Sequence, residues 1–381
     1  MIDRNTKRPL VLLAVMLAMF LAAIEATIVA TVMPQIVSDL GGFAHFSWVF
    51  SSYLLMQVIM IPIFGSLSDI YGRKLVFTIG IGIFLLGSFL CGLSTSMGML
   101  IVSRFIQGIG AGAVQPIAMT IVGDMYTKEE RANIQGYLSS IWGIAAIVGP
   151  LLGAFFVEYT EWKWVFWMNL PFGILAIVII SFYLFERVER KEQSVDIVGA
   201  TYLFFCIGTV MYMLVQFDRV TFFFLFLGAC LFFLLFLWHE RKTSHPILTF
   251  SLWKRTHIRY ANVASFTAGA MLLSVSTFLP TYVQGVLGKS PLIAGLTLTM
   301  TSIGWPLSAL IAGRLMLKTS FRFTALLGGI GLMIGGAFFL TLPFLSHPLW
   351  AACGSFFLGS GLGFSSTAFI VSIQSTVEWN V

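Results

Sequence analysis

The segment GSLSDIYGRK, Gly65 to Lys74, lies between two long apolar runs and carries three charged residues, Asp69, Arg73 and Lys74. Apolar runs of about 20 residues are typical of helices that cross a bilayer. The segment is therefore predicted to be a short loop between two membrane helices. Because charge is concentrated on so short a connection, we expect the loop to mark one side of the membrane and to belong to a moving part.

The rest of the chain is as apolar as the runs beside this loop. Hydrophobic residues make up 58% of the 381 positions, and charged residues make up 10%, against about 25% in a soluble chain. The sequence thus predicts an all-α polytopic membrane protein with little left for a soluble domain. The candidate spans lie roughly at 10–33, 48–67, 75–94, 98–122, 134–157, 164–185, 195–216, 221–238, 258–286, 292–316, 323–345 and 349–373.

The distribution of basic residues predicts the orientation of these spans. If the amino terminus is inside, the inner loops carry most of the arginines and lysines, and the outer loops carry only Lys163, Arg219 and Lys289. This asymmetry is the positive-inside rule. It predicts a multi-pass protein of the cytoplasmic membrane with its amino terminus inside, and it explains the net charge of +6 without a nucleic-acid partner.

Several other classes of function lack the residues they would need. The four cysteines all fall inside spans and show no metal-ligand spacing, so no metal site is predicted. Val286 to Pro291 contains Gly-Lys-Ser, but a phosphate loop would also need glycine where Val283 stands. We therefore predict that the chain is not an enzyme and uses no cofactor.

Glu25 lies inside the first span, where an ionised carboxylate loses its solvation, so a functional role is the default hypothesis. It is the best candidate for a proton carrier, and a structural acid neutralised by a partner is the alternative. Arg104 in the fourth span lies at a similar depth, within one turn at about 1.5 Å rise per residue. It could pair with Glu25 for proton coupling, although an arginine bonded to backbone carbonyls is nearly as plausible.

Two further segments have a distinctive composition. GIAAIVGPLLG, Gly143 to Gly153, places Pro150 among glycines in the fifth span, which favours a bend and close packing. Aromatic residues cluster from Trp162 to Trp167 where the sixth span begins, and anchoring at the membrane interface is the expected role.

The first segment has a degraded copy 248 positions later. Gly65 corresponds to Gly313, Leu67 to Leu315 and Lys74 to Arg322, but Asp69 corresponds to Leu317. Parallel repeats of this kind occur in transporters that alternate access around a central site.

Gly65 to Lys74 resembles the signature G-x-L-x-D-x-x-G-R-K of the major facilitator superfamily. Two other segments are similar to motifs of the same superfamily. The matching positions are Gly65, Leu67, Asp69, Gly72, Arg73 and Lys74 in the signature, Arg104, Gln107, Gly108 and Gly110 in the fourth-helix motif, and Gly143, Gly149, Pro150 and Gly153 in the antiporter motif.

Ile24 to Pro34 and Trp162 to Gly173 are similar to segments of the fourteen-span drug/proton antiporter branch. This resemblance implies efflux of small hydrophobic or cationic compounds in exchange for protons by alternating access, with the proton gradient as the energy source and a monomer as the working unit. It also implies a conformational latch formed by the signature segment, which we expect to include Asp124 and Arg131.

The resemblance also implies an organisation of the chain. Residues 1–190 would form an amino-terminal six-helix bundle, 191–245 two inserted helices, and 246–381 a carboxyl-terminal bundle of four helices. We expect the last two helices of the major facilitator fold to be missing. A truncated remnant or ligand sensor that does not transport, and a transporter specific for one metabolite, remain alternatives.

Overall fold

The computed structural model describes residues 6–186, 196–215, 218–243, 247 and 255–376, and most of these residues are helical. The helices before residue 190 are α1 (Arg8–Leu40), α2 (Phe46–Tyr71), α3 (Arg73–Gly92), α4 (Met97–Met125), α5 (Lys128–Tyr159), α6 (Trp164–Trp167) and α7 (Asn169–Tyr183). The later helices are α8 (Ile197–Val215), α9 (Arg219–Glu240), α10 (Thr256–Gly285), α11 (Pro291–Lys318), α12 (Phe321–Leu345) and α13 (Pro348–Thr376).

Twelve segments in the described part of the chain are long and apolar enough to cross a membrane. The short helix α6 and helix α7 together form one of them, Trp164–Tyr183. The prediction of an all-α membrane protein with twelve spans is confirmed.

The starts of several helices are fixed by side chains that accept hydrogen bonds from unpaired backbone N–H groups. Thr127 and Glu130 form a reciprocal capping box at the start of α5. Single caps of the same kind are provided by Ser96, Asp218, Ser290 and Ser320 at α4, α9, α11 and α12. These residues end the short connections between spans and so keep the loops short.

Helix α4 packs closely against both α2 and α3, and its glycines make this possible. A side chain on Gly108 would overlap the backbone of Tyr53 in α2, and one on Gly110 would overlap the backbone of Phe84 in α3. Small residues allow helix backbones to approach in this way, which is how membrane helices gain packing contacts without a hydrophobic driving force. Helix α4 thereby occupies the interior of its bundle.

The chain divides into two compact units. The first comprises Met1–Ile134 and Phe155–Thr249, and in it α1 packs on α7, α3 on α4, and α8 on α9. The second comprises Gln135–Ala154 and Phe250–Val381, with α13 packed against α11 and α12. Helix α5 therefore contributes residues to both units.

The segment Gly65 to Lys74 differs from the predicted loop. Helix α2 continues through Asp69 to Tyr71, and α3 begins at Arg73, so Gly72 alone connects them. Gly72 has φ 92° and ψ 148°, a conformation that only glycine adopts readily. The prediction of a loop was wrong because the helix extends for more than a turn beyond the apolar run. The related segment also has a short connection, with α11 ending at Lys318 and α12 starting at Phe321, but its two connecting residues have negative φ.

Candidate functional site

A buried ion pair lies inside the first compact unit. Glu25 on α1 is 0% exposed, and Arg104 on α4 is 1% exposed. The Arg104 Nη1 atom donates a hydrogen bond to Oε1 of Glu25. The structure thus brings together the two residues for which the sequence predicted proton coupling.

Arg104 is held by three further groups besides the carboxylate. Its Nε donates to the backbone carbonyl of Val49 at 3.2 Å, and its Nη1 also donates to Oε1 of Gln107 at 2.8 Å. The Tyr53 ring lies against the guanidinium, with 4.2 Å from Cζ to the ring centroid. The arginine therefore makes both of the contacts considered for it, one with the carboxylate and one with a backbone carbonyl.

The second oxygen of Glu25 binds a residue that the sequence did not single out. Asn169, the first residue of α7, donates from Nδ2 to Oε2 of Glu25 at 2.9 Å. The same Nδ2 donates to Ser88 Oγ on α3 at 2.9 Å, and Ser88 donates to the carbonyl of Phe166 at 2.8 Å. Helices α1, α4 and α7 thus meet at one carboxyl group, and α3 is linked to it through Asn169.

This arrangement can hold a charge in an apolar interior. An isolated buried carboxylate is strongly disfavoured, but here one oxygen faces a guanidinium and the other faces an amide N–H, so both have donors. Removing either charge would leave the other uncompensated. A carboxyl group in such a setting can take up and release a proton with large consequences for its neighbours.

Polar atoms without a hydrogen-bond partner surround the same pair. Among the residues that the structure describes, they include Tyr53 Oη, Gln107 Nε2 and Asn169 Oδ1, all of them buried. Buried polar atoms are usually satisfied, and exceptions concentrate at functional sites. The pair therefore lies in a polar cluster that has hydrogen-bonding capacity to spare.

The signature segment forms a second ionic cluster around Arg73. Its guanidinium pairs with Asp69 at 3.3 Å, with Asp124 at the end of α4 at 3.2 Å, and with Glu186 at 3.5 Å. The predicted latch residues Asp69, Arg73 and Asp124 are thus brought together. The side chain of Arg131, the other residue expected there, lies outside the described part.

Glu186 is also a member of this cluster, although it was not predicted from the sequence. Its side chain is 3% exposed, and its Oε2 accepts the backbone N–H of Lys74 at 3.0 Å. Lys74 in turn donates from Nζ to the carbonyl of Ser181 at 2.7 Å. Glu186 therefore ties the start of α3 to the segment that follows α7.

The antiporter motif lies in the part of α5 that belongs to the second unit, where it faces α11. A side chain on Gly143 would lie 3.3 Å from the Pro306 ring, and one on Gly295 would lie 3.7 Å from Cβ of Pro150. Gly149 and Gly153 are buried, and the helix continues through Pro150 to Tyr159. Gly143 and Pro150 of the motif therefore lie against α11.

Two members of the aromatic cluster before α7 are buried, whereas Trp164 is 47% exposed, so interfacial anchoring stays a prediction for part of the cluster. Trp162 is 2% exposed and Phe166 is 0% exposed. The Trp162 Nε1 donates to Oδ2 of Asp39 near the end of α1 at 2.9 Å. This segment is therefore attached to α1 at two levels, through Trp162 and through Asn169.

The missed residues have weak signals in the sequence. Ser88 and Asn169 are neutral polar residues inside apolar runs, where most such residues only bond to their own helix. Glu186 is an acidic residue just after a membrane span, and nothing in the sequence distinguishes it from other acids in such positions. In each case the partner comes from a distant part of the chain, which a single sequence does not indicate.

Comparison with known proteins gives a consistent result. The model of the Major Facilitator Superfamily matches residues 15–380. "Multidrug resistance protein 3" of Bacillus subtilis (strain 168) is 36% identical over 352 residues, which are 91% of this chain and 69% of that protein. "Multidrug transporter protein MdtP" of the same organism is 33% identical over 98% of this chain and 70% of its own length. "Multidrug efflux pump SdrM" of Staphylococcus aureus (strain N315) is 32% identical over 72% of this chain and 62% of its own length.

Proposed function

Because the chain belongs to the major facilitator superfamily, we propose that it is a proton-coupled exporter of small hydrophobic or cationic compounds that works by alternating access. The observation that carries the proposal is the buried pair of Glu25 and Arg104. A buried acid with one cationic partner has two charge states that differ greatly in energy inside an apolar bundle.

The names of the relatives support the proposed substrate class. Three of them have names that refer to multidrug resistance, transport or efflux, and two of these align with more than nine tenths of this chain. We place the chain in the fourteen-span drug/proton antiporter branch. The pairing of α8 with α9 supports this, since the branch carries two inserted helices at that position.

The mechanism proceeds from the charge on Glu25. When the carboxylate is ionised, it binds Arg104 and Asn169 together and joins α1, α4 and α7. When it takes a proton from outside, its attraction to Arg104 weakens, and the guanidinium, which is already bonded to Gln107 and to the Val49 carbonyl, becomes available to substrate. Proton and substrate can drive the change only through their different affinities for the two states.

The Arg73 cluster would lock one of these states at the inner face. Arg73 is bound by three acids from α2, α4 and the segment that follows α7. Such a network is worth more than an isolated exposed pair, because its members hold one another in place. Opening of the inner side would require these contacts to rearrange.

The role of Glu25 can be tested in everted membrane vesicles with ethidium as a fluorescent lipophilic cation. Glu25→Gln keeps the shape of the side chain but removes its titration, so we expect proton-driven ethidium transport to be lost. Glu158→Gln, an exposed acid at the end of α5, is the matched control and should transport like the wild type. Retention of pH-driven transport by Glu25→Gln would remove Glu25 from the mechanism.

A further inference from the structure

The amide group of Asn169 makes two hydrogen bonds with one atom and none with the other. Its Nδ2 donates to Glu25 and to Ser88, both at 2.9 Å. Its Oδ1 is buried and has no partner among the described residues. A buried side-chain amide that uses its two protons and leaves its oxygen unused calls for a physical explanation.

The neighbouring hydroxyl determines which way this amide is turned. A serine hydroxyl has a single proton, and that of Ser88 is given to the carbonyl of Phe166 at 2.8 Å. Towards Asn169, Ser88 can therefore act only as an acceptor, so the atom beside it must be the amide nitrogen. Both protons of that nitrogen are then assigned, one to Ser88 and the other to the carboxylate.

This arrangement of hydrogen-bond donors suits Oε2 of Glu25 only when the carboxyl group is ionised. An ionised carboxylate accepts hydrogen bonds and donates none. If Oε2 of Glu25 took up a proton, an O–H donor would face an N–H donor across 2.9 Å. A turn of the amide by half a rotation relieves this conflict when the Ser88 hydroxyl also turns its proton from the Phe166 carbonyl to Oδ1. Oδ1 then accepts from both the protonated acid and Ser88.

The surrounding structure favours rotation of the amide over movement of the backbone. The segment before Asn169 is attached to α1 through Trp162 and Asp39 at 2.9 Å, and to α3 through Ser88 and the Phe166 carbonyl. Asn169 and Ser88 are themselves fully buried. Because the backbone is held by these contacts to α1 and to α3, the side-chain amide is the part that can turn.

We propose that Asn169 is a positioning residue that sets the protonation of Glu25, because its amide stabilises the ionised acid and turns over when the acid takes up a proton. The proposal deepens the proposed function, on which it rests for its part in transport. The other titratable groups at this cluster are Arg104 from α4, Tyr53 from α2 and Cys91 from α3, whereas α7 contributes the neutral amide.

The experiment measures the protonation of the Glu25 carboxyl group directly. Infrared difference spectra of the purified protein are recorded against pH, and the carbonyl stretch of protonated Glu25 is identified by its loss in Glu25→Gln. We expect Asn169→Ala to raise the midpoint of this titration by about one pH unit, a tenfold change, since a hydrogen bond to the charged form is lost. Vesicle transport of ethidium should show the same shift in its pH profile.

Ser88→Ala provides a milder second variant, and Ser94→Ala its matched control. Both serines are buried in or next to α3, but Ser94 bonds only to the carbonyl of Leu90. Without Ser88 the amide is no longer fixed in the orientation that favours the ionised acid. We therefore expect a smaller rise of the midpoint in Ser88→Ala and none in Ser94→Ala.

The two hypotheses fail in different ways. Identical infrared midpoints in the wild type, Asn169→Ala and Ser88→Ala would overturn the role of Asn169, even if ethidium transport proved to be proton-driven. Shifted midpoints in a protein whose transport does not respond to a proton gradient would uphold that role and overturn the proposed function.

Discussion

Gly72 shows how a single residue determines a connection between two spans. It forms the whole turn between α2 and α3 at a positive φ of 92°, and directly precedes Arg73. Any other residue at such an angle is strained by about 1–3 kcal/mol. The turn thereby places Arg73 and Lys74 within reach of Glu186.

We expect Gly72→Ala to lower the free energy of unfolding by about 1–3 kcal/mol, measured as a loss of thermal stability in detergent. Gly65→Ala is the matched control, because Gly65 is helical and a methyl group there would meet no atom within 4 Å. Helix propensity alone would make that control neutral or slightly stabilising. Equal losses in the two variants would contradict the assigned role of the turn.

At the residue scale, the sequence predicted charges better than it predicted neutral polar groups. Glu25 and Arg104 were recognisable because charges are expensive in a membrane and therefore stand out. Asn169 and Ser88 are tolerated in helices without any special role, so nothing marked them. Their importance arises from a carboxyl group that lies far away along the chain and close in space.

At the scale of helices, the spans were predictable and their ends were not. Hydropathy locates the part of a helix that lies in the lipid, but α2 continues to Tyr71 and α1 to Leu40, both beyond the predicted runs. The continuation depends on capping and on contacts with other elements. For this reason the ten-residue signature became a helix end and a one-residue turn.

The packing of α4 gives a prediction at this scale. Gly110 faces the backbone of Phe84 and Gly80 in α3, so Gly110→Ala should force the two helices apart. We expect a loss of about 1–3 kcal/mol in the free energy of unfolding. The same substitution at Gly98, near the start of α4 and with nothing within 4 Å, should have little effect. Equal losses in the free energy of unfolding for Gly110→Ala and Gly98→Ala would contradict this account of the packing of α4 on α3.

At the scale of the whole molecule, the unit to which the centre of α5 belongs was the feature hardest to predict from the sequence. Its central part, Gln135–Ala154, packs with residues from Phe250 onwards. Glycines and a proline in a span favour close packing in general, but they do not identify the partner. The partner, α11, follows more than a hundred positions later in the chain.

A disulfide can test this grouping. Built at Gly295, a Cβ atom lies 3.7 Å from that of Pro150, within the range of about 3.5–4.5 Å found in disulfides. With the four native cysteines replaced, Pro150→Cys combined with Gly295→Cys should form a cross-link on mild oxidation, seen as a mobility shift on a non-reducing gel.

The control pair combines Pro150→Cys with Gly285→Cys, where an added Cβ has no neighbour within 4 Å. It should remain reduced under the same conditions. Cross-linking of the control pair to the same extent, or its absence in the test pair, would contradict the assignment of the α5 centre to the second unit.

The composition of the second unit also has a consequence for biosynthesis. The centre of α5 leaves the ribosome well before α10 to α13 have been made, although it packs with them in the finished protein. The membrane must therefore hold α5 for a time with its glycine-rich surface covered by lipid or by the insertion machinery. Substitutions at Gly143 or Pro150 would then act first on assembly, lowering the yield of folded protein before any transport could be measured.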